Sequence, residues 1–102
     1  MLIIRGVNVY PSQIEAVLVG RPGVAPHYQL VVERHGQLDQ VTIEVEAEPG
    51  VAAERFAAIA GDVRHHVKSI VGITTDVHVK LPGEIPRSQG KAVRVRDLRP
   101  KA

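Results

Sequence analysis

The stretch PGEIPRSQGKA, residues 82–92, sets a lysine, Lys91, between two strand-like segments. Before it, Ile73, Thr75, Val77, Val79 and Leu81 alternate with Thr74, Asp76, His78 and Lys80. After it, Val93 and Val95 alternate with Arg94 and Arg96. A period of two marks strands with one buried face. Pro82-Gly83 is turn chemistry, Pro86 forbids a regular strand or helix, and Gly90 frees the backbone beside Lys91. The loop therefore presents an ammonium group. The ordinary fate of such a lysine is a solvated hairpin tip. The alternative is a point charge carried on a flexible stem to an anionic reactant.

The other reactive side chains do not gather. His65 and His66 are adjacent, about 100° apart on a helix, and neither has a histidine partner four residues away. His27, His35 and His78 fall on separate segments, and the chain has no cysteine, so no metal site and no disulfide are expected. Glu44, Glu46 and Glu48 share one face of a strand and read as a solvated face rather than as paired catalytic acids. No glycine-rich phosphate loop with a following lysine and hydroxyl is present. Arg87, Lys91, Arg94, Arg96, Arg99 and Lys101 crowd the end, opposed by Asp97, although the formal net charge is only +2. Such a basic end can meet a nucleotide, nucleic acid or water, and a solvated tail is the default.

Around these residues the chain reads as one α+β unit. Residues 2–4 (LII) form a short strand, and Val7 and Val9 continue an extended path that Arg5-Gly6 interrupts as a bulge or a point of close approach. A helix begins near Pro11 and Ser12 and ends by Val19, with Pro11 suited to the first turn and Ser12 and Glu15 at capping-box spacing. Tyr28, Leu30 and Val32 mark one strand, and Val41, Ile43, Val45 and Ala47 the next, joined as a hairpin through HGQLD. A second helix over about 51–71 carries Phe56, Ile59, Ala60, Val63, Val67, Ile70 and Val71 as one apolar stripe. The order predicts a ferredoxin-like two-layer sandwich: a mostly antiparallel sheet, two helices on one face, and a short terminal strand. The core must be aliphatic, since 44% of residues are hydrophobic but only 3% aromatic. No apolar run approaches the ~18 residues of a membrane span, and no signal peptide is expected.

The opening MLIIRGVNVYPSQIEAVL and the closing GEIPRSQGKAVRVRD, with HYQLVVER and VKSIVGI between them, resemble the C-terminal domain of phenylacetate-CoA ligases, of the adenylate-forming acyl-CoA synthetase superfamily. The resemblance covers nearly the whole chain and implies a single domain over 1–102, the mobile lid of an AMP-forming ligase cut just after its hinge. It implies that Lys91 reaches the reacting carboxylate and the α-phosphate of ATP, with Arg87, Ser88, Gln89 and Gly90 supporting it. It also implies that Gly6, with Arg5 and Asn8 nearby, lines the path of the CoA thiol, and that Tyr10 is a packing residue.

The whole enzyme would use ATP, Mg2+ and CoA to convert an arylacetic acid to its thioester in the cytoplasm. The implied partner is an N-terminal adenylating domain holding the nucleotide and acyl pockets. This chain alone is then expected to be inactive and to bind none of these ligands tightly. No membrane or nucleic-acid partner is expected, and a homo-oligomer stays open. The competing reading is a free-standing ferredoxin-like module, regulatory or RNA-binding. RNA recognition on such a sheet needs exposed aromatics, and the chain offers only Tyr10, Tyr28 and Phe56.

Overall fold

The computed structural model describes residues 2–19, 21–85 and 95–99. β1 (Leu2–Ile4) and β2 (Val7–Val9) form a small antiparallel hairpin, followed by α1 (Pro11–Leu18). β3 (Val24–His35) and β4 (Leu38–Ala47) form the long central hairpin. A 3-10 turn (Ala53–Arg55) leads into α2 (Phe56–Ile70), and β5 (Asp76–Lys80) and β6 (Val95–Asp97) complete the domain. The main sheet runs β5-β4-β3-β6: the central pair is antiparallel, and each outer strand joins its neighbour in parallel. The result is the expected ferredoxin-like α+β sandwich, with one rearrangement. The opening strand leaves the main sheet for its own hairpin.

The cause lies at Arg5-Gly6. Both residues take positive φ, 49° and 79°, the signature of a tight two-residue hairpin turn. The chain folds back, pairing Leu2 with Val9 and Ile4 with Val7. Of the two expectations, a bulge or a point of close approach, the bulge gives way to a turn.

Side-chain alternation builds the core. Leu30 stands opposite Ile43 and Ile43 beside Val77; two residues along the strands, Tyr28, Val45 and Val79 repeat the row. These residues meet Ile14, Val17 and Leu18 of α1 and Ile59, Val63 and Val67 of α2 in one cluster. The helical stripe is narrower than its sequence suggests, because Ile70 in the last turn is 64% exposed. Leu81, just past β5, is likewise 54% exposed although it continues the alternation.

Among the boundaries that differ from expectation, three have identifiable reasons. β3 starts before Tyr28, since Val24 already pairs with Ala47. The register then shifts between Val24 and Tyr28, where Pro26 has no N–H to give to a ladder. α1 begins at Pro11, so Ser12 lies inside it; the Tyr10 N–H donates to Gln13 Oε1 at 3.2 Å, and Ser12 and Glu15 form no capping box. α2 starts five residues later than residue 51 because the chain first tightens into the 3-10 turn.

Gly23 carries a demand that its place in a turn does not reveal. Its φ is +79°, and an added Cβ would lie 2.9 Å from Ile59 Cδ1 on α2. Gly23→Ala would combine a left-handed backbone cost of roughly 1–2 kcal/mol with displacement of a core side chain. Urea denaturation of this variant is expected to show a loss of about 1–3 kcal/mol. Unchanged stability would mean that the turn and Ile59 relax together without cost.

Candidate functional site

Two regions carry the residues singled out from the sequence. The first is the β1–β2 turn. Gly6 faces open space: among the described residues, no atom beyond its chain neighbours lies within 4 Å of where a Cβ would sit. The Arg5 guanidinium turns back to donate to the Thr74 carbonyl oxygen at 2.9 Å, tying the turn to the segment that enters β5. Asn8 is exposed on β2, one residue from buried Val9. Arg5, Gly6 and Asn8 therefore lie on one small hairpin, and the backbone at Gly6 is accessible. Tyr10, expected as packing, is 46% exposed beyond the end of β2.

The second region is the connection from β5 to β6. Lys91, with Arg87, Ser88, Gln89 and Gly90, lies outside the described residues, so the structure neither brings these five together nor separates them. Both approaches to them are described. On the entry side, residues 81–85 form a compact turn. Glu84 N–H donates to the Leu81 carbonyl at 3.1 Å, and the Leu81 N–H donates to Glu84 Oε1 at 3.1 Å. Glu46, reaching out of β4, accepts from Gly83 N–H at 2.9 Å through Oε1 and from Ile85 N–H at 3.0 Å through Oε2.

The three glutamates therefore do not share one solvated face. Glu46 is 1% exposed and Ile85 only 4%. Glu44 Oε2 lies 3.8 Å from Lys80 Nζ, and Glu48 follows the end of β4. The β4 sequence gives no local sign of this difference. The turn that covers Glu46 comes 37 to 39 residues later in the chain.

On the exit side, Arg99 is not part of a solvated tail. Its guanidinium donates to both Asp97 oxygens at 2.9 and 2.8 Å, to Asp39 Oδ2 at 3.0 Å and to the Ile3 carbonyl at 2.9 Å. Arg34 Nε donates to Asp39 Oδ1 at 2.9 Å. The cluster joins the residues after β6 to β1 and to the start of β4. The hydrogen bond from Arg34, with Arg99 adding to it, holds the Asp39 carboxyl below its usual range. Arg99 does the same to Asp97, and the two aspartates raise the guanidinium in turn.

Other candidates resolve into local structure. Arg21 Nη1 lies 2.9 Å from His66 Nε2, and His66 Nδ1 lies 2.8 Å from the Asp62 carbonyl oxygen. Arginine can only donate, so His66 accepts at Nε2 and donates from Nδ1. No three His, Asp or Glu side chains group as ligands among the described residues. Tyr28 is buried and Phe56 sits on α2, so the sheet has no exposed aromatic row, among the described residues, on which bases could stack. No helix among the described residues is long and apolar enough to cross a membrane.

Comparison with known proteins gives this geometry a context. The family described as AMP-binding enzyme C-terminal domain matches residues 6–99. The phenylacetate-coenzyme A ligase of Escherichia coli (strain K12) is 49% identical across 97% of this chain, and that of Thermus thermophilus is 45% identical across 97%. The chain spans 23% and 26% of those two relatives, about a quarter of their length. A crystallised domain of phenylacetate-coenzyme A ligase from Bacteroides vulgatus superposes with a TM-score of 0.89 at 30% identity, covering 100% of this chain and 95% of that one. A 2-hydroxyisobutyryl-CoA ligase in complex with its acyl-AMP and CoA, in the thioesterification state, gives 0.88 at 31% identity over 97% of this chain and 21% of that one.

The Arg99 cluster makes a pH-dependent contribution whose sign follows from the depressed carboxyls. Unfolded, Asp39 and Asp97 take up protons near pH 3.9, the usual value; folded, they resist to lower pH. Below about pH 5 the unfolded chain therefore binds more protons, and stability falls until the folded carboxyls also protonate. Denaturation at pH 7, 5, 4 and 3 should show this contribution intact at the upper two values and lost progressively at the lower two. Arg99→Gln should give a shallower acid slope. An equal slope in the variant would remove the cluster as its cause.

Proposed function

The chain belongs to the AMP-binding enzyme C-terminal domain family, and from that premise we propose that it is the lid domain of a phenylacetate-coenzyme A ligase, covering 1–102. The observation that carries this reading is the 49% identity to the Escherichia coli ligase across 97% of the chain. In the whole enzyme an arylacetate oxygen attacks the α-phosphorus of ATP and pyrophosphate departs, leaving the acyl-adenylate. The CoA thiolate then attacks the acyl carbon, AMP departs with the carboxylate oxygen, and the thioester forms.

Lys91 serves the first step. A carboxylate and a triphosphate repel each other, and charge builds on the phosphoryl oxygens as the new bond forms. An ammonium placed there offsets both effects without changing its own protonation. Arg87, Ser88, Gln89 and Gly90 shape the backbone that carries it. The β1–β2 turn serves the second step. At Gly6, with Arg5 and Asn8 beside it, the thiol arm passes close to the backbone, and the open space over Gly6 supports that role.

The N-terminal adenylating domain supplies the adenine and acyl pockets. The Mg2+ that accompanies ATP belongs with the phosphates and that domain. Two functions on separate elements of one lid require it to rotate between steps, a recognised use of domain closure. The related 2-hydroxyisobutyryl-CoA ligase, found with its adenylate in a postadenylation state and with adenylate and CoA in a thioesterification state, supports such a cycle. Like its chemistry, the enzyme's place is the cytoplasm, where ATP and CoA are available.

The test joins this chain to the N-terminal domain of the Escherichia coli relative and follows the two half-reactions separately. Lys91→Ala should slow adenylate formation about 100- to 1000-fold while thioester formation from supplied phenylacetyl-adenylate and CoA survives. Gly6→Leu should show the reverse bias. Unchanged adenylation in Lys91→Ala would remove the lysine from the mechanism, and equal loss of both steps would assign it to the fold.

A further inference from the structure

Glu46 is the only charged side chain, among the described residues, that is fully buried. Burying a carboxylate is expensive unless hydrogen bonds replace its water, so its position calls for a reason. A strand facing a covering turn would pack as well with valine or isoleucine. What the carboxylate adds is direction. Its two oxygens take the N–H groups of Gly83 and Ile85, at 2.9 and 3.0 Å, and charge-assisted bonds of this kind fix a backbone more firmly than apolar contact. The turn so held is already closed on itself between Leu81 and Glu84, and Gly83 takes a φ of +88° within it. It therefore behaves as one small rigid piece, fastened to the centre of the sheet through β4.

Lys91 follows Ile85 by six residues. Six residues reach about 20 Å at full extension, so where Ile85 is held limits where the ammonium can go. Displacing a catalytic group by about 1 Å can cost on the order of 100-fold in rate. We propose that Glu46 is a positioning residue for the adenylation step: its carboxylate fixes the base of the connection that delivers Lys91. The inference rests on the role given to Lys91 above. It adds that the reach of the lysine is set from β4, by a residue that touches neither ATP nor the acid.

The joined ligase tests this with Glu46→Gln, Lys91→Ala and the double variant, each assayed in both half-reactions. Glutamine keeps the shape of the side chain but replaces one acceptor with an NH2 group that faces a backbone N–H. Glu46→Gln should slow adenylation at least about 10-fold through kcat, with KM for ATP little changed. Thioester formation from supplied adenylate should fall far less. The double variant should adenylate no more slowly than Lys91→Ala alone, because a residue acting through Lys91 has nothing left to position. Amide exchange on the chain should show Gly83 and Ile85 losing protection in Glu46→Gln. Should that variant fold poorly, Glu46→Asp, which keeps the charge on a shorter arm, should show the same half-reaction bias more weakly.

Additive losses, equal loss in both half-reactions, or normal adenylation in Glu46→Gln would each overturn the inference while Lys91→Ala still showed its defect. Normal adenylation in Lys91→Ala would instead sink the reading of the lysine itself, and this inference with it.

Discussion

The register of β3 against β4, with Leu30 opposite Ile43 and Tyr28 opposite Val45, decides which side chains meet the helices and which face away. A slip of β4 by one residue would turn Ile43 and Val45 outward and bring Glu44 and Glu46 under α2. The outer strands inherit the choice: Val77 aligns with Ile43, and Val95 with Leu30. Both regions assigned to chemistry follow from it. Thr74, which anchors Arg5, lies just before β5, and Glu46 meets the turn at 81–85 only because β4 presents it on the face away from the helices.

The pattern-based part of the fold was legible. Alternation marked the central hairpin, and the three- and four-residue spacing of Ile59, Val63 and Val67 marked α2, because both record a face that must be buried. Such local rules fail where burial is decided by distant chain. Glu44 and Glu46 are equivalent in the sequence, and only the later turn separates them. Arg99 reads as part of a basic tail until Asp39 and the Ile3 carbonyl are brought to it. Arg5-Gly6 was recognised as an interruption, but a bulge and a reversal ask for the same glycine. Only the pairing of Leu2 with Val9 and of Ile4 with Val7 distinguishes the two.

The candidate site was reached through a different channel. Nothing in the spacing of RSQGK separates a working lysine from a solvated one, and the proposal for Lys91 rests on the motif's likeness to a family. The residues that physical reasoning adds, Glu46 and Arg99, carry no motif. They are found by asking where a buried charge obtains its hydrogen bonds, a question that coordinates alone can answer.

The order β5-β4-β3-β6 has a mechanical consequence for the segment between its outer strands. Its ends lie on opposite edges of the sheet, three strand spacings or about 14 Å apart, and on the same end of it, because β5 and β6 run in opposite directions. Counted from Lys80 to Val95 the arc is 15 residues; counted from Ile85, where Glu46 grips it, it is 10. Closing a shorter loop changes chain entropy by only about 0.4 kcal/mol for this ratio, so the grip matters little as a source of stability. It matters as a point of departure: the connection leaves the turn at Ile85, beside β4, rather than the end of β5.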